Sequence, residues 1–381
     1  MCRRWHGLAF HNSVWSKRRI KATDIGRRMT LENLLRRIPV IHTLDFTRSS
    51  VENSTIQTIL KSSIRVRNLK LYDCTIQPEA LCSVNTVLHH LSGNLEGLSI
   101  ELQKVMQNTR KFRPRFMVNL RKLTLIGDVY LDRIPEGFDF DCHLLESLDV
   151  SRFNDRSYIH SDPRRYFLVS NLINKARGKL KTLYLPIYCD KTILNSVQQC
   201  GHLTTISLQL EYVAVVSHLP LIETLIIHCD SSADPPLNWL RPINLRVLVL
   251  HLRRPKEASV NFLKNIRAQN LTLISDNLCR EMELYCSENV QRLTVRCHFL
   301  RLRHLSVTIL RKAVMPNLKF LDVRYCFLGK GIPPKILDLL KKRFPSLTVR
   351  SDKFSGYQKK RELRNDVDCT LQESTDCSDT E

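Results

Sequence analysis

Few residues in this chain have the types and spacing that chemistry needs. Cys279, Cys286, Cys297 and His298 come nearest to a metal set, but their intervals do not fit zinc-ligand spacing. Cys142 and His143 are neighbours; a nucleophile–base pair, however, is defined by geometry across a fold, not by adjacency. No GxGxxG and no phosphate-binding loop occurs. The reading is therefore of a non-catalytic chain with no catalytic residues, no metal and no cofactor. What remains are recognition residues. His251, Arg292, Arg296, Phe320 and Arg324 fall on segments expected to share one surface. Arginine forks grip carboxylate and phosphate oxygens, so the arginines suit an acidic or phosphorylated segment.

The elements that would position them come from a repeat. An apolar residue, two variable ones, an apolar residue, one variable and a last apolar residue recur along the chain. Clear copies are Leu95-Leu98-Ile100, Leu120-Leu123-Leu125, Leu145-Leu148-Val150, Leu180-Leu183-Leu185, Leu245-Leu248-Leu250 and Leu318-Leu321-Val323. The central residues are Leu44, Leu69, Leu98, Leu123, Leu148, Leu183, Ile206, Leu225, Leu248, Leu271, Leu293, Leu321 and Leu347. Most gaps lie in the range of about 20–29 residues typical of leucine-rich repeats.

The last two apolar residues of each copy are two apart and share one face of a short strand. Strand, turn, helix and turn then repeat, and no unit buries its apolar face alone. Residues 78–91 and 332–344 carry helical spacing, the first through Leu81, Val84, Leu88 and Leu91, the second through Ile332, Ile336, Leu339 and Leu340. The expected fold is an α/β leucine-rich-repeat solenoid, a horseshoe with parallel strands on its concave face and helices or extended segments on its convex face. It would run over residues 21–352 in about thirteen repeats. Ser151–Arg165 reads as an inserted loop, and the short gap before Leu225 reads as an extended return. Leu302-Leu305-Val307 reads as a decoy within a return segment.

Composition sets bounds. The chain has 381 residues, 43% of them hydrophobic, with thirteen cysteines and a formal charge of +22. The odd, scattered cysteines suggest reduced thiols, several filling the position where other repeat families carry Asn: Cys74, Cys229 and Cys326, beside Asp128. No apolar run is long enough to span a bilayer, which implies no membrane insertion and a cytoplasmic or nuclear location. Residues 353–381 read as a disordered tail: after Arg364 come Asp366, Asp368, Glu373, Asp376, Asp379 and Glu381 with no basic residue. Lys359, Lys360 and Arg361 form a basic run just before it, and Lys17, Arg18, Arg19 and Lys21 form another near the start.

The charge is not where a nucleic-acid groove would need it. Across the expected concave strands, Lys70, Lys122, Arg292, Arg296, Arg324 and Arg350 face Asp45, Glu101, Asp149 and Asp322. The balance there is about +2 by strand alternation, so the rest lies elsewhere and nucleic acid is not the expected partner.

The first twenty residues contain Cys2, Arg3, Arg4, Trp5, Leu8, Ala9 and Trp15. This pattern resembles the C-terminal half of an F-box; the motif's N-terminal half is not part of the match. Joined to such repeats, it resembles the F-box leucine-rich-repeat family. The resemblance implies the substrate-recognition subunit of an SCF-type E3 ubiquitin ligase. Cys2, Trp5, Leu8 and Trp15 would then contact the Skp adaptor, which links to a cullin, and the repeats would hold a protein substrate for degradation. The alternatives are an N-terminal cap over residues 1–20 and a non-ligase repeat scaffold or regulatory protein-binding module.

Overall fold

The computed structural model describes residues 12–15, 17–24, 31–101, 117–127, 142–152, 163–229, 243–252, 266–275, 289–297, 316–323, 332 and 334–350. The chain divides into two compact units, 1–228 and 229–381.

The first unit is built on parallel strands stacked in chain order. They are β1 (Arg19–Lys21), β2 (Val40–Asp45), β4 (Arg65–Leu71), β6 (Gly97–Glu101), β7 (Lys122–Ile126), β8 (Ser147–Asp149), β9 (Thr182–Tyr184), β10 (Thr205–Gln209) and β11 (Thr224–Cys229). Two short strands, β3 (Ser50–Val51) and β5 (Thr75–Ile76), make a separate parallel pair. The second unit repeats the plan with β12 (Ile243–Leu252), β13 (Ile266–Ser275), β14 (Arg292–Cys297), β15 (Phe320–Asp322) and β16 (Thr348–Arg350). Parallel pairing in chain order requires the chain to return to the same end of the sheet between one strand and the next. A mixed α/β arrangement of parallel strands in sequence order is compatible with a solenoid-like fold.

Register explains why the triads recur. Ile20, Leu44, Leu69, Leu98, Leu123, Leu148, Leu183, Ile206 and Leu225 are consecutive partners across the first unit. All are buried, as are the residues three before and two after the central leucines, such as Leu145 and Val150 around Leu148. Parallel pairing stacks like on like, so each position of the triad becomes a continuous apolar ladder. Each fully buried leucine or isoleucine contributes about 1.5–3 kcal/mol relative to exposure. The turn after the strand also recurs: Arg48, Asp73 and Gly127, each four residues past its central leucine, all have positive φ.

The returns are helical in places. The described helices are α1 (Asn12–Trp15), α2 (Leu31–Leu35), α3 (Asn53–Lys61), α4 (Pro78–Leu91), α5 (Pro163–Ala176), α6 (Lys191–Gln198) and α7 (Pro334–Arg343). Pro78 and Pro334 open α4 and α7, where a missing N–H costs nothing. Asp190 caps α6 by accepting a hydrogen bond from the Ile193 N–H at 2.9 Å. Val84, Leu88 and Leu91 of α4 are buried as their spacing predicts. No helix among the described residues is long and apolar enough to cross a membrane.

Several details depart from the sequence expectations. The short return before β11 is not extended; Leu210–His218 forms a 3-10 helix that buries Leu210, Val213, Val215 and Val216. Three residues per turn let nine residues close the short gap while keeping their apolar side chains inward. Helix α5 starts at Pro163, inside the segment read as an inserted loop. Leu339 is 52% exposed, because the buried side chains here are Leu340 of α7 and Phe344 just after it. The last strand is displaced by two residues: Val349, not Leu347, pairs with Leu321. A shift of two keeps every side chain on its own face, so the apolar pattern alone does not distinguish the two registers. Strand β1 pairs with β2 as one more rung and spans residues 19–21 at the expected boundary of the N-terminal segment. The triad at 302–307 lies outside the described residues.

Candidate binding face

Residues flanking each central leucine point away from the core, and on β12–β16 they bring the recognition residues together. Phe320 of β15 is the register partner of Arg292 on β14 and of Thr348 on β16. The Arg292 guanidinium lies 4.7 Å from the centre of the Phe320 ring. That of Arg350 lies 5.2 Å from the same ring centre. One ring thus holds two guanidiniums, one from the strand on each side, and each contact is worth about 0.5–1 kcal/mol at an exposed site. Arg292 and Arg350 are exposed and Phe320 is half-buried. Arg350 was not among the candidate site residues; only the two-residue shift of β16 sets it beside Asp322, and next to Phe320.

A second row runs beside the first. His251, Ile274 and Arg296 are consecutive register partners on β12, β13 and β14. His251 and Arg296 are half-buried. Asp322 supplies the carboxylate on the described strands β14–β16, is in register with Arg350, and is 5% exposed. Arg292, Arg296 and Arg350 therefore outnumber acid on this stretch. The arrangement can grip an oxyanion, because arginines stacked on an aromatic ring have already surrendered much of their freedom. Arg324 lies outside the described residues.

The corresponding surface of the first unit is different in kind. Asp149 and Tyr184 are register partners, and Tyr184 pairs in turn with Ser207. The Ser207 hydroxyl lies 2.9 Å from His228 Nε2. This contact is the nearest approach to a hydrolytic pair among the described residues. Ser207 is only 2% exposed, so no carbonyl carbon can reach its oxygen. Burial pushes the Tyr184 hydroxyl up to about 12, with the Asp149 carboxylate adding to the rise, and so keeps it protonated. Cys142 is buried while neighbouring His143 is exposed. No three His, Cys, Asp or Glu side chains gather as a metal site among the described residues.

One feature escaped sequence reasoning altogether. Arg67, Glu96, Arg121, Glu146 and Lys181 each sit two residues before the central leucine of β4, β6, β7, β8 and β9 in turn. Glu146 accepts from Arg121 at 2.5 Å and from Lys181 at 3.0 Å, and Arg67 lies 3.9 Å from Glu96. The hydrogen bond from Lys181 outweighs burial, and with that from Arg121 it holds the Glu146 carboxyl below its ordinary value. The alternation of sign along one edge was visible in the sequence once the repeat was aligned. It is a support for strand register, not a binding site.

Of the adaptor-contact residues, Trp15 ends α1, which lies against β2, and is half-buried. Cys2, Trp5 and Leu8 lie outside the described residues. No protein-family model matches the chain, and no curated protein matches it.

Proposed function

We propose that this chain is the substrate-recognition subunit of an SCF-type ubiquitin ligase, with leucine-rich repeats that hold a protein target. The observation that carries the reading is the pairing of Cys2, Arg3, Arg4, Trp5, Leu8, Ala9 and Trp15 with a chain of in-register triads. The first set resembles the C-terminal half of an F-box. The second supplies, within each unit, rows of outward side chains suited to a protein partner and carries no catalytic constellation that the sequence reveals. Such a subunit does no chemistry. It places a target within reach of the ubiquitin-carrying enzyme, in the cytoplasm or nucleus.

The target surface in this reading is the face of β12–β16 with His251, Arg292, Arg296 and Phe320. Its excess of arginine favours an acidic or phosphorylated segment of the target. Tagging the protein at the C-terminal end in its own gene and purifying it under mild conditions tests the assignment. Recovery of a Skp adaptor and a cullin is expected, and Trp5→Ala together with Trp15→Ala should remove both. Recovery of neither from the unaltered protein would sink the ligase reading and leave a protein-binding scaffold built on the same repeats.

A further inference from the structure

We propose that the face of β14–β16 is occupied in the resting protein by the chain's own acidic segment, residues 365–381. The inference rests on reading that face as a surface for acidic ligands, and not on the ligase assignment.

Four observations converge. First, Arg292 and Arg350 are exposed, both are stacked on Phe320, and among the described residues neither has a carboxylate partner. A guanidinium pair held in place on one ring presents donors suited to a carboxylate. Second, residues 365–381 carry Asp366, Asp368, Glu373, Asp376, Asp379 and Glu381 and no Lys or Arg, within a chain of net charge +22. Third, the spacing is compatible. In an extended segment Asp366 and Asp368 share one side about 6.7 Å apart, with Val367 between them on the other. The Arg292 and Arg350 guanidinium carbons can be no further apart than their two distances to the shared ring centre added together.

Fourth, the tether is short. Strand β16 ends at Arg350, and a chain of the length from there to Asp366 would span roughly 20–25 Å on average if it behaved as a random coil. Arg292 is two strands from Arg350, about 10 Å across the sheet. A segment tethered so close meets the arginines at an effective concentration in the mM range. A trans ligand for this face must therefore displace the segment, which makes it a built-in competitor that rejects weak acidic ligands.

The test uses the full chain and a labelled synthetic peptide of residues 365–381, read by fluorescence anisotropy at low ionic strength. One protein is unaltered. The other has the six acids of the segment changed to Asn or Gln. The unaltered chain is expected to bind the peptide about tenfold or more weakly than the neutralised chain, because its own segment fills the site. Arg292→Gln with Arg350→Gln in the neutralised chain should lose most of the binding, since each change keeps a stem near Phe320 but removes the charge. Charge removal at Lys359, Lys360 and Arg361 should leave it.

Equal binding by unaltered and neutralised chains overturns the proposal. So does binding that survives loss of Arg292 and Arg350 but not loss of the 359–361 run. A polyglutamate peptide of the same length separates the two readings. If the neutralised chain binds polyglutamate but not residues 365–381, the face still takes acidic ligands and only the internal occupant fails. If it binds neither, both fail.

Discussion

Arg19, on the edge strand of the first unit, reaches across to hydrogen-bond the buried carboxylate of Asp45 on the next strand. Asp45 is fully buried although it lies on the face away from the core, and the Thr47 N–H donates to its other oxygen at 2.8 Å. This contact ties residues 19–21 into the stack. Removing the arginine leaves a buried charge half-satisfied. Arg19→Ala should destabilise the first unit by about 1–2 kcal/mol. That is less than the 3–5 kcal/mol seen for fully buried pairs, because Arg19 is half-exposed and water can replace it. Urea unfolding of the variant, with Arg19→Lys as a partial rescue, measures the cost.

Two carboxylates should give stability opposite dependences on pH. Burial raises the Asp45 carboxyl, but hydrogen bonds from Thr47 and Arg19 outweigh it, and the folded value lies below the ordinary 3.8. Its contribution is fully present above about pH 4–5 and is lost as pH falls through the folded value. Burial pushes the Asp149 carboxyl the other way, above 3.8, against hydrogen bonds from Ser151. The cost of ionising it is fully present above that raised value and is relieved as pH falls through it. Asp45→Asn should therefore lose most to the wild type at neutral pH, with the gap closing on acidification. Asp149→Asn keeps an acceptor for Ser151 and should gain on the wild type as pH rises. Parallel denaturation series from about pH 3 to 7 decide whether the signs differ.

Gly97 leaves a space that Asn68 fills. A Cβ at residue 97 would stand 2.2 Å from the Asn68 side-chain oxygen. The Asn68 amide is not free to swing aside, since its nitrogen donates to the His42 carbonyl at 3.1 Å. Gly97→Ala should cost about 1–3 kcal/mol, the range for overpacking. In an Asn68→Ala background the same change should be nearly neutral, and a double-mutant cycle in chemical denaturation would expose that coupling.

The charge ladder at the strand entrances predicts a salt-sensitive effect. Glu146 sits between Arg121 and Lys181 and is 30% exposed. Glu146→Gln should cost no more than about 1 kcal/mol, and Glu146→Lys more, because it places three cations in a row. Raising salt from 0.05 to about 0.5 M should shrink the Glu146→Lys penalty, and a penalty unmoved by salt would argue for lost packing instead.

The repeat was legible because parallel stacking in register turns a local pattern into a ladder. Leu98, Leu123 and Leu148 had to be buried together once their spacing recurred. The two-residue displacement at Val349 was not legible, since both registers leave the same face apolar. Nor was the 3-10 return at Leu210–His218, where a short gap and an apolar sequence fit either an extended segment or a tight helix. His251, Arg292, Arg296 and Phe320 were named from strand alternation, and their shared surface follows from it.

The sequence by itself determined the periodic burial, the parallel order of the strands and which side chains face away from the core. Those depend on local spacing, and alternation along a strand carries them without further information. The tertiary structure decided which of those outward residues touch. That Arg292 and Arg350 stack on one ring, that Asp45 is closed over by Arg19, and that Gly97 makes room for Asn68 all depend on register between strands. Register is set by packing across the whole stack, which no single segment encodes.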